Sequence, residues 1–111
     1  MVASRELARK IHKDFINRGC KEFSSTWENL DPADKEFFVG AMTYVLEEDK
    51  PLASDIHDFW LDYMIDKGWV FAKNLDTGEK FSPMMRNYRA LDKESRKRYT
   101  AFFSNRPAKV N

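Results

Sequence analysis

The stretch IHDFWLDYMIDKGW, residues 56–69, decides how the chain is read. Ile56, Phe59, Trp60, Tyr63 and Met64 recur at the three- and four-residue spacing that lines one face of an α-helix, so this segment is expected to lay an aromatic stripe on a core. Asp58, Asp62 and Asp66 fall on another face as a solvated acidic ridge. Ser54 is placed to cap the start of the helix, and Gly68 to end it in the left-handed conformation that other residues avoid. His57 flanks the stripe, where its ring can reach either core or solvent. A histidine and two tryptophans around one helix raise the question of whether they hold the fold or line a site.

Working outward, three more helices are expected. Leu7, Ile11 and Phe15 form a helical stripe over residues 4–18, with Ser4 as its cap and Gly19 as its stop. His12 on that helix is expected at its boundary or surface, since no second ligand stands at metal spacing. Ser25 and Glu28 have capping-box spacing around Trp27. Asp31 and Pro32 then read as the cap and first residue of a helix to about Glu48, and Pro51 closes it. Gly40 inside that helix costs up to about 1 kcal/mol relative to alanine, which points to something packed close to it. Residues 69–82 read as a short β-hairpin, with Trp69 and Phe71 on one face and the turn at Asp76-Thr77-Gly78. Asp92 caps a last helix that buries Tyr99, Phe102 and Phe103. The expected fold is mainly α with a small β-hairpin: one compact domain of about four helices over residues 1–111, with a core of about 5–103 and a loose tail from 104.

Length and composition agree with that size. A chain of 111 residues with 42% hydrophobic and 14% aromatic content holds enough bulky side chains for one core. Its single Cys20 cannot form an internal disulfide, no secretory leader pattern opens the chain and no apolar run approaches the roughly 20 residues of a membrane helix. A cytoplasmic protein is expected. The net charge of +1 conceals segregation: residues 1–21 carry net +4, 22–68 net −9 and 69–111 net +6. The segments either pair with each other or leave a basic surface for an anion.

Catalysis is not expected. The chain has no phosphate-binding glycine loop, no dinucleotide fingerprint, no zinc-protease motif and no paired cysteines. Cys20 has no catalytic signature, and Glu47 and Glu48 stand at a helix end where they read as solvated. No metal and no cofactor are expected. Nucleic acid is a weaker candidate partner: the basic hairpin and Ser95-Arg96-Lys97-Arg98-Tyr99 suit phosphates, but the acidic centre opposes them.

Residues 57–91 carry a more specific order: His57-x-x-Trp60, Gly68-Trp69, Lys80, Pro83, Tyr88 and Leu91. This arrangement resembles the RyR domain, the repeat named after the ryanodine receptor, in its free-standing bacterial or phage form. The likeness extends over about residues 5–103. Three positions depart from the family pattern: Phe71 stands for a tyrosine, Ala72 for a glycine and Ser82 for a histidine. The resemblance implies a non-catalytic module that recognises a nucleotide or nucleotide-derived signal in an aromatic and basic cleft, as a sensor or a sequestering protein. It implies a ligand-binding set of His57, Trp60, Trp69, Phe71, Lys80, Arg86 and Tyr88. Rings would stack on the base, worth roughly 1–3 kcal/mol each, and cations would meet phosphate. Four of these have structural readings too: Trp60 lies in the apolar stripe, Trp69 sits where the chain leaves the helix, His57 could anchor that helix by a hydrogen bond, and Lys80 could pair with an acidic residue. The alternative is a protein-interaction or homodimerisation module with no small ligand.

Overall fold

A computed structural model describes the backbone of residues 2–104, with side chains from Arg5 onward; the expected loose tail lies beyond the described residues except for Ser104. Five helices follow in order: α1 (Val2–Asn17), α2 (Pro32–Glu47), α3 (Ala53–Asp66), α4 (Lys93–Lys97) and α5 (Thr100–Ser104). Two-residue strands β1 (Val70–Phe71) and β2 (Phe81–Ser82) stand between α3 and α4, and 3₁₀ turns occupy Trp27–Asn29 and Tyr88–Ala90. The fold is mainly α around one core.

That core is built from rings. Phe15 of α1 meets Phe38 of α2, Phe102 of α5 and Tyr99 just before α5 at centroid distances of 5.8–5.9 Å, mostly edge to face. Such pairs contribute about 0.5–1.5 kcal/mol beyond the area they bury. Ile56, Trp60 and Met64 bury the inner face of α3 completely or nearly so. Phe59 is only half-buried, because it lies across Gly40: a Cβ there would stand 3.4 Å from the Phe59 ring. The close neighbour expected at Gly40 is therefore Phe59.

Both helix-ending glycines behave as expected. Gly19 and Gly68 have φ of +105° and +94°. Each is followed by the paired bonds of a Schellman cap: Gly19 N–H to Ile16 and Cys20 N–H to Phe15, Gly68 N–H to Ile65 and Trp69 N–H to Met64. The second cap drives Trp69 into the core beside Met64.

Several local expectations are corrected. α1 opens at Val2, so Ser4 lies inside it, and Leu52 rather than Ser54 precedes the first turn of α3. The capping box at Ser25 does not form: Thr26 precedes the turn without a side-chain bond, and Glu28 is drawn 2.7 Å from Arg9 instead. His12 is buried, not at the boundary, and its Nε2 donates to the Ser24 carbonyl at 2.8 Å. The last helix breaks in two around Tyr99. The β-hairpin is not one, since β1 and β2 run parallel with Val70 opposite Phe81. The Asp76–Gly78 turn does reverse the chain, through mutual backbone bonds of 2.9 Å between Asp76 and Phe81. The returning segment then lies alongside β1 in the same direction; Trp69 is buried while Phe71 is half-exposed.

The charge segregation is partly spent internally. Arg5–Glu36 and Arg9–Glu28 tie α1 to the acidic segment at 2.7 Å, and Arg98 reaches Glu22 at 3.4 Å. Asp34, buried in the first turn of α2, accepts from the Tyr63 hydroxyl and from Lys67 Nζ at 2.6 Å, locking the start of α2 to the end of α3.

Candidate functional site

The seven expected residues divide into a buried group and a surface group. His57 is fully buried on α3. Its Nε2 donates to the Arg86 carbonyl at 2.6 Å, which leaves Nδ1 to accept from the Tyr99 hydroxyl at 2.5 Å. Burial holds the His57 imidazole below its ordinary 6.5 and pushes the Tyr99 phenol well above 10, so a neutral ring and a protonated hydroxyl are the forms this pairing needs. One histidine thereby joins α3, the 84–88 loop and the α4–α5 junction.

Trp60 is fully buried and stacked on His57, with centroids 5.6 Å apart and planes 19° from parallel. Its indole N–H has no hydrogen-bond partner among the described residues. Trp69 is 6% exposed. His57, Trp60 and Trp69 are therefore packed in the core rather than on the surface. This corrects the expectation that they line an open cleft.

Phe71, Lys80, Arg86 and Tyr88 stand outside it. The Arg86 guanidinium lies 5.3 Å over the half-exposed Phe71 ring. Arg96, read from the sequence only as part of the basic run 95–99, lies 5.4 Å over the half-buried Tyr88 ring and donates to the Arg89 carbonyl at 2.7 Å. The two pairs are joined through His57, whose ring is 6.0 Å from Tyr88 and bonded to the Arg86 backbone. Lys80 carries the one positive φ among the described non-glycine residues, +59°, and its ammonium donates to the Lys67 carbonyl at 2.7 Å. Its partner is thus the carbonyl end of α3 and not the carboxylate expected from the sequence; a cation suits that end of the helix dipole.

The departures from the family pattern find local explanations. Ser82, in place of histidine, is buried; its hydroxyl donates to Glu22 Oε2 at 2.6 Å and accepts from Met84 N–H at 3.1 Å. Glu22, whose side chain is 2% exposed, also receives Arg98 and the Cys20 thiol. Burial beside that carboxylate pushes Cys20 up to about 12, so the thiol stays protonated and unreactive. The buried Glu22–Ser82–Arg98 network was not legible, because Glu22 and Ser82 are 60 residues apart and neither lies in a periodic stripe. Ala72 avoids positive φ, as expected for a residue with a Cβ.

Among the described residues no group of His, Cys, Asp and Glu is arranged to hold a metal ion, and no helix is long and apolar enough to cross a membrane. In comparison with known sequences, the RyR domain pattern matches residues 41–106, which include α3, both strands and all seven expected residues. Searches of curated proteins and of solved structures find no match.

Proposed function

The chain belongs to the RyR domain family, and from that premise we propose that it is a non-catalytic module that binds a small nucleotide-type ligand on the exposed part of the family motif. The observation that carries this reading is the pair of guanidinium-capped rings, Arg86 over Phe71 and Arg96 over Tyr88. A planar base gains stacking on such rings, and the guanidiniums offer forked donors to phosphate. The buried trio His57, Trp60 and Trp69 acts from behind, fixing the loop that presents Arg86 and Tyr88. Lys80 adds a third cation on the same segment, already tethered to Lys67. In a bacterial or phage setting the ligand is a nucleotide-derived signal that the protein senses or sequesters in the cytoplasm.

The test is a thermal-shift screen with adenine nucleotides, cyclic dinucleotides and ADP-ribose, followed by calorimetry on Phe71→Ala and Arg86→Ala. Binding by the parent that falls at least tenfold in both variants, with unliganded stability unchanged, supports the reading. A ligand bound equally well by both variants overturns it.

A second reading, a protein-interaction or homodimerisation surface, has its own observation. Ile65, Val70, Phe71, Leu75 and Phe81 are large apolar side chains left 36–57% exposed around the strand pair. A concentration-dependent mass by sedimentation, abolished by Val70→Lys, would favour it over the ligand.

A further inference from the structure

A different part of the molecule, outside the family-matched residues, contains a groove of about 540 Å³. Its volume lies within the roughly 300–1,000 Å³ typical of small-molecule sites. One wall is the face of α1 that carries Arg9, Lys10 and Lys13; the other is the turn at Ser25, Thr26 and Trp27. We infer that this groove between α1 and Trp27 is a second ligand site, one that takes a nucleoside monophosphate.

The chemistry of the wall selects that class. Trp27 is half-buried, with its ring set by edge contact to His12 at 5.8 Å and by Phe38 at 6.4 Å, so it is a held platform rather than a free side chain. His12 lines the same groove and is buried; because its Nε2 donates to the Ser24 carbonyl, its Nδ1 is in the acceptor form. Burial lowers its pKa from 6.5, which keeps the ring neutral. A planar base suits an aromatic wall with two hydroxyls beside it.

Charge then sets the size of the anion. Arg9, Lys10 and Lys13 face Glu6 and Glu28 in the lining, so the cations exceed the carboxylates by one. Lys10 and Lys13 have no ion pair or hydrogen bond among the described residues, whereas Arg9 is held by Glu28 at 2.7 Å. Two free ammoniums beside two carboxylates suit one phosphate group, and an excess of one cation gives little hold on a long polyanion, which argues against a nucleic-acid strand here.

The groove and the motif face are separable by mutation. The experiment is calorimetric titration of the full chain with AMP, GMP, CMP and UMP, with adenosine and inorganic phosphate as single-feature controls. At least one monophosphate is expected to bind saturably, and more tightly than adenosine or phosphate alone. Affinity should fall at least tenfold in Lys10→Ala/Lys13→Ala and in Trp27→Leu. The double lysine variant carries the test should Trp27→Leu unfold, because both lysines are exposed on α1. Absence of saturable binding by all four monophosphates overturns the inference. So does affinity that survives the lysine changes or that is lost only with Arg86→Ala; the last result would place the nucleotide on the motif face and leave the proposed function standing.

Discussion

His57 shows how a residue with the profile of a ligand-binding group can be consumed by the fold. Both ring nitrogens are bonded inside the protein, and the imidazole is held neutral by burial; His12 is held neutral the same way. A histidine whose folded pKa lies below its unfolded 6.5 binds fewer protons in the folded state. Stability should therefore be full above about pH 6.5 and decline as pH falls from there towards the folded values, with two groups contributing. Urea denaturation between pH 7.5 and 5 should show this loss above the range where ordinary carboxylates near 4 titrate. A midpoint flat down to pH 5 would mean that neither ring is buried as described. Trp60 is the companion case. Trp60→Ala should cost roughly 3–5 kcal/mol, because a fully buried ring leaves a cavity. Trp60→Phe should cost clearly less, since the indole N–H it removes has no partner. An alanine variant as stable as the parent would show the ring to be exposed.

At the scale of the elements, glycine positions give opposite expectations. Gly68 has a φ of +94°, where a Cβ is strained, so Gly68→Ala should lower stability by about 1 kcal/mol or more and loosen the turn that buries Trp69. Gly40 sits in regular helix, and an added Cβ would meet the Phe59 ring at 3.4 Å, at the near edge of ordinary contact. Phe59 is half-exposed, so its ring can shift along its stack on Phe37 at 5.4 Å, and Gly40→Ala should gain up to about 1 kcal/mol from helix propensity. Chemical denaturation of the pair checks both signs; a loss at Gly40 larger than that at Gly68 would contradict the packing. The helices and their glycine stops were legible because period and punctuation are local. The strand pair was misread as a hairpin for the opposite reason. The turn at Asp76–Gly78 is local and was found, but the parallel pairing of Val70 with Phe81 is set by the whole excursion between them.

Across the whole molecule, the acidic centre and basic ends are bridged by exposed pairs at Arg5–Glu36 and Arg9–Glu28. Pairs this exposed contribute about 0–1 kcal/mol each, so raising salt from low to about 1 M should change the unfolding free energy by only about 1 kcal/mol. A much larger loss would assign them a structural weight their exposure does not support. The candidate site was legible as a set of residues but not as a surface. The order from His57 to Leu91 identified the family and the helical stripe already turned Trp60 inward, but periodicity could not place His57 and Trp69, which enter the core beside the stripe and through a Schellman turn. Arg96 was read as part of a basic run and not as a partner of Tyr88, since that contact joins two separate helical turns.

The family motif divides into a buried scaffold and an exposed face, and in the proposed function Phe71, Arg86 and Tyr88 of that face contact the ligand. Calorimetric titration of the best ligand from the nucleotide screen into the parent and into Arg86→Ala tests it most directly. Saturable binding by the parent is expected, with at least a tenfold loss in the variant, whose melting temperature without ligand stays unchanged because His57 bonds the Arg86 backbone, not its side chain. Equal affinity in parent and variant would contradict it.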